Sequence, residues 1–211
     1  MFKGRIRSVV ILSISLAFSS FSAFSHSHQE SQDSKSEASG VTKEEYSIYA
    51  SLIKQLYIKP NIKLIVTREH TFRYDSSRGE DDQPWKGKVK GIVIDPTASQ
   101  DFEAKNEKHW LLDQASLNLG VKAEISTDAD LRAIFHGKNG DLEWIEYYKR
   151  YPDAGGILSF SRVGFNSAHT QGLVYIGIHC GPDCGDCHFF LLEKSGDAWT
   201  IKKVLRKISW G

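Results

Sequence analysis

The chain has 211 residues, 40% hydrophobic, 25% charged and 11% aromatic, a composition that supports one globular domain with its own core. Lys and Arg total 27 against 26 Asp and Glu. That balance gives no electrostatic basis for nucleic-acid binding, which wants a strongly basic face.

The amino-terminal "MFKGRIR" places Lys3, Arg5 and Arg7 ahead of the apolar, small-residue run "SVVILSISLAFSSFSAF". Ala23-Phe24-Ser25 then offers the small-x-small pattern of a cleavage site, so residues 1–25 read as a signal peptide. The run is too short and serine-laden for a membrane span, and no span is expected in the mature chain. Cleavage near Ser25 implies a periplasmic or secreted protein with a net charge of about −2. Residues 26–41 are polar and read as a disordered leader. A mature chain starting His26-Ser27-His28 offers an amine and an imidazole that can hold Cu(II) in a square plane, against incidental histidines in a polar leader.

The domain is expected over 42–211. Tyr46, Tyr49, Ile53 and Leu56 at helical spacing predict a helix capped by Thr42 with Glu45 three residues on. "IKLIVTREHTFRY" reads as a strand, "SSRGEDDQPWKGK" as a loop and "VKGIVID" as a second strand. After Asp95-Pro96-Thr97, "ASQDFEAKNEKHW" reads as a short helix with Thr97 and Gln100 as its capping box. A strand is expected within 117–126, a short helix at "DADLRAIFH", and a helix capped by Asp141 and ended by Pro152.

"GGILSFSRVGFN", "QGLVYIGIHC", "HFFLLEK" and "AWTIKKVLRKISW" read as four successive strands joined by turns at "NSAHT" and "SGD". The expected fold is therefore α+β, with helices on one face of a curled antiparallel sheet that ends in a four-strand meander. By analogy it is cystatin-like or nuclear-transport-factor-like. The five tryptophans, Trp85, Trp110, Trp144, Trp199 and Trp210, read as core.

All three cysteines fall in "IHCGPDCGDCHFF", positions 178–190. Outside the cytoplasm thiols that can meet become disulfides, and an odd count leaves one over. Pro182 and the two glycines of the turn favour closure between Cys180 and Cys184, leaving Cys187 free, exchanging or intermolecular. Cys180 is expected opposite Cys187, and His179 opposite His188, with the histidines on one face and the two thiols on the other. A bulge could still gather a metal site from His179, His188 and the cysteines. "CGDCH" (Cys184, Cys187, His188) also matches the c-type haem attachment pattern, although a strand is expected right after it. Arg162, charged within an apolar strand, either holds an anionic ligand or pairs with an acid such as Glu193.

"YPDAGGILSFSRVGFN", "TQGLVYIG", "CGPDCG", "LLEKSGDAWTIKK", "DFEAKN" and "EEYSIYASLIKQLY" together resemble an uncharacterised family of secreted bacterial proteins. The resemblance spans most of the mature chain and implies a Cys-Gly-x-x-Cys-Gly hairpin turn at Cys180, Gly181, Cys184 and Gly185. It brings no catalytic residues. Cys187, His188 and the terminal "ISWG" depart from the family pattern.

No hydrolase elbow, metalloprotease helix, phosphate loop or dinucleotide fingerprint occurs in the sequence. The function expected is a non-catalytic extracytoplasmic module that binds a small ligand or a protein. The alternative is a redox-thiol, metal or haem protein acting through positions 179–188.

Overall fold

The computed structural model describes residues 40–75, 83–85, 91–137 and 139–211. The signal peptide and all of the leader but Gly40 and Val41, His28 included, lie outside the described residues. The described chain runs α1 (Lys43–Leu56), β1 (Leu64–Arg68), α2 (Pro96–Lys105), a 3₁₀ turn (Gln114–Ser116), β2 (Lys122–Ser126), α3 (Asp128–Ile134), α4 (Gly140–Arg150), β3 (Ala154–Phe160), β4 (Gly164–Phe165), β5 (Gln171–Gly181), β6 (Cys184–Ser195) and β7 (Ala198–Trp210). The class is α+β, as expected.

One open seven-stranded sheet holds all the strands of the described residues, in the order β2-β1-β3-β5-β6-β7 with β4 paired to β5. From β3 to β7 the pairs are antiparallel and β5, β6 and β7 form consecutive hairpins. β1 is parallel to both neighbours, β2 and β3, so the sheet is mixed rather than antiparallel throughout. Helices cover both faces instead of one. Ile65, Leu158, Phe160, Val174, Ile176, Phe190 and Leu192 face α1, whose Tyr46, Tyr49, Leu52 and Ile53 are buried against them. Strand alternation turns Leu64, Val66 and Ile157 to the other face, under α3 and α4. Leu173 and Leu191 lie on that same face under Phe102 of α2.

The capping box of α1 forms as read, with Thr42 and Glu45 exchanging backbone and side-chain hydrogen bonds. Two caps differ from expectation. Asp95 caps α2 by accepting from Thr97 N, with Pro96 as the first helical residue, and Asn139 rather than Asp141 caps α4. "VKGIVID" gives no strand among its described residues. Gln171 occupies it instead, accepting from Asp95 N at 3.0 Å and donating to the Val93 carbonyl at 3.2 Å. β2 starts only at Lys122, after the 3₁₀ turn and Gly120, whose φ is +75°.

The "SRVGFN" stretch leaves the sheet at its centre because side chains take its backbone donors. Asn106 Oδ1 accepts from Arg162 N at 2.8 Å, and Glu45 Oε1 accepts from Val163 N at 2.9 Å. The tryptophans divide. Trp85 and Trp144 are buried, Trp110 and Trp199 are partly buried, and Trp210 is 41% exposed on the outer strand β7.

Candidate functional site

The 178–190 stretch is a hairpin closed by a Cys180–Cys184 disulfide, with Cα atoms 5.0 Å apart, and Cys187 is the free thiol. The neck register differs from expectation. The strands run on to Gly181 and Cys184 and a bulge lies between His179 and Gly181, so that Gly177 faces Cys187, Ile176 faces His188 and His179 faces Gly185. The histidines consequently point to opposite faces. His179 sets its ring edge on Trp144 at 5.0 Å, on the α4 side. His188 stacks on Phe190 at 5.2 Å on the α1 side, 7% exposed, with Nδ1 3.8 Å from Asp186 Oδ1. Desolvation lowers both imidazole pKa values. Cys184 is committed to the disulfide, so "CGDCH" lacks the second thiol that haem attachment requires. Cys187 is half-buried, and desolvation raises its thiol pKa, although Tyr175 hydrogen-bonds its sulfur.

Arg162 is not aimed at a ligand. It is 4% exposed, and Nε and Nη2 donate to Oε1 and Oε2 of Glu45 at 2.7 and 2.8 Å. Glu193, the acid suggested by sequence, pairs with Lys202 at 2.8 Å.

A different place gathers charge. Two adjoining cavities of about 430 and 380 Å³ open on the α3–α4 face and share Arg68 and Asp128. Ile157, Ser159 and His179 form the floor from β3 and β5, and Leu131, Arg132 and Phe135 form the α3 wall. The segment after β1 closes the far end with His70, Phe72 and Arg73, beside His109. Among the described residues, Arg68, Arg73 and Arg132 make no ion pair with a carboxylate, and all three are solvent-exposed. Tyr175 lies beneath, its hydroxyl bonded to Ser159 and Cys187, and burial pushes its pKa up to about 12.

Local folding explains the cluster. β1 and β2 run parallel with Arg68 opposite Ser126, so the residues just past both carboxyl ends, Glu69-His70 and Asp128, come together. Binding sites of sheet proteins favour such carboxyl ends. The sequence hint was "TREH", three charged or titratable residues closing a β-branched strand. Asp128, Arg132, His109 and His179 carry no such mark, being brought in only by pairing.

Among the described residues no helix is long and apolar enough to cross a membrane. Comparisons with family models, curated proteins and solved structures find no match to this chain.

Proposed function

We propose that the protein is an extracytoplasmic binding module whose ligand is a small oxyanion, carboxylate or phosphate, carried on an apolar body. The observation that carries this reading is the set of three exposed arginines, without carboxylate partners among the described residues, around one cleft. Guanidinium forks bind carboxylate and phosphate in bidentate fashion. Leu131, Phe135, Ile157 and Phe72 supply apolar wall beside them, which suits a ligand with a charged head and a hydrocarbon or aromatic body. The extracytoplasmic setting is supported by the signal-like amino terminus, the Cys180–Cys184 disulfide and the resemblance to a secreted family.

The geometry favours this reading over chemistry at 179–188. There the disulfide takes two of the three thiols, and the sheet divides the two histidines. A thermal-shift comparison of benzoate and phenyl phosphate with neutral benzyl alcohol tests the proposal. Stabilisation by either anion, weakened by salt and absent with the alcohol, supports it. Equal response to all three would defeat it.

A further inference from the structure

We infer that Glu69, His70, His109 and Asp128 form a mononuclear site for a divalent first-row transition metal, with Zn²⁺ the ion that fits best. The inference stands on the geometry at the edge of the cleft and does not depend on the anion reading.

Three elements converge there. Glu69 and His70 follow β1, and Asp128 opens α3 directly after β2, the parallel neighbour of β1. His70 also bridges to Leu111, which draws His109, two residues earlier, to the same cavity. His70 Nδ1 lies 3.6 Å from Glu69 Oε1 and 3.6 Å from Asp128 Oδ2. One donor atom from each of Glu69, His70 and Asp128 fits within a 4.8 Å span. Tetrahedral zinc with bonds of about 2.0–2.2 Å has ligand-to-ligand edges of about 3.4 Å. Separations of 3.6 Å need to shorten by about 0.2 Å, and one at the full 4.8 Å span by about 1.4 Å.

His109 lines the same cavity but stands outside the 4.8 Å group, and it becomes the fourth donor by swinging its ring toward the ion. Its Nδ1 lies 2.9 Å from the Thr71 carbonyl, which can only accept, so the Nδ1 proton points there and Nε2 keeps its lone pair. Anchoring of one imidazole nitrogen on a carbonyl is the usual support of a metal-binding histidine. The His70 and His109 ring centres are 5.9 Å apart, against about 5 Å expected for two imidazoles on one tetrahedral zinc. Glu69 is held in turn, since Oε1 accepts from Asp128 N at 2.7 Å. Two carboxylates offset the dication, and mixed imidazole and carboxylate donors suit zinc better than calcium or magnesium. His70 and Asp128 side chains are 34% and 43% exposed, so the ion has access from solvent.

The alternative is His70 lying between two carboxylates with no metal. Titration of the chelator-treated full mature chain with Co²⁺ separates the two. One equivalent should develop the intense visible absorption of a tetrahedral site, and Zn²⁺ should displace it. His70→Ala, His109→Gln and Asp128→Asn should each weaken Zn²⁺ roughly tenfold or more. Changing His26 and His28 together should leave this site unaltered. Unfolding curves without metal show whether each variant folds, and Glu69→Gln, which keeps the side-chain shape, provides a further variant. Failure of the native chain to bind Co²⁺ or Zn²⁺ stoichiometrically would overturn the inference. So would undiminished binding by folded His70→Ala, or loss of binding with the His26 and His28 changes alone.

Discussion

Arg162 and Glu45, 117 positions apart, meet in a bidentate pair with Nε to Oε1 at 2.7 Å and Nη2 to Oε2 at 2.8 Å. Glu45 is fully buried and Arg162 is 4% exposed. Glu45 also accepts from the backbone of Thr42 and of Val163. One carboxylate thus caps α1, neutralises a buried guanidinium and holds the kink between β3 and β4. Arg162 further lies over the Trp110 ring at 4.9 Å.

Removing either partner leaves the other charge buried and unpaired, which costs about 3–5 kcal/mol. Arg162→Ala and Glu45→Ala should therefore destabilise the fold strongly in urea denaturation. Arg162→Lys should fail to restore stability, because an ammonium cannot reproduce the two-point fork. Lys149→Ala, at the exposed end of α4, should change stability by less than about 0.5 kcal/mol.

The disulfide closes a span of only four positions, so its stabilisation should stay below about 3 kcal/mol. Reduction should lower the denaturation midpoint without unfolding the protein at 25 °C. Non-reducing peptide maps should show the Cys180–Cys184 link, with Cys187 as the alkylated residue. Alkylation of Cys187 should be slow in the native protein and fast in denaturant, because desolvation holds its thiol pKa up. Equal rates in both states would refute the half-buried position.

Glu44 gives the pH dependence. Burial would raise its pKa, but hydrogen bonds from His169, Trp199 and Lys194 outweigh this and hold it at about 2, against an ordinary value of 4.5. A carboxyl depressed in the folded state stabilises fully above its unfolded pKa and loses that contribution as pH falls through the folded one. The window is therefore about pH 4.5 down to 2. Glu44→Gln should lower the denaturation midpoint at pH 7, and the two proteins should converge near pH 2. A constant gap across that range would assign the effect to packing instead.

The helix spacing of Tyr46, Tyr49 and Ile53, the Thr42–Glu45 cap and the three carboxyl-terminal hairpins were legible because each is set by neighbours in sequence. The disulfide partner was legible for the same reason. What sequence concealed was set at long range. No local pattern marks that β1 runs parallel to β2 and β3, or that α1 and α2 take opposite faces. The register error at the cysteines comes mainly from turn length: β5 runs to Gly181 and β6 starts at Cys184, and the bulge after His179 adds one more position, so Cys187 pairs with Gly177 instead of Cys180. For Arg162 the sequence leaves a ligand and an acid partner both open, and Glu45 cannot be found from proximity, since only the packed helix brings it there. The cleft escaped because its arginines and histidines come from β1, β5, α3 and the segments between, and no two elements reveal it alone.

The most direct test of an oxyanion site at this cleft is calorimetric titration of phenyl phosphate into the native chain and into Arg68→Ala, at low salt. Lys54→Ala serves as the control, because Lys54 lines a separate groove along α1. Saturable one-to-one binding is expected, weakened at least tenfold by Arg68→Ala, unchanged by Lys54→Ala and reduced by added salt. Absence of saturable binding, equal affinity with and without Arg68, or loss of binding in Lys54→Ala would contradict the site.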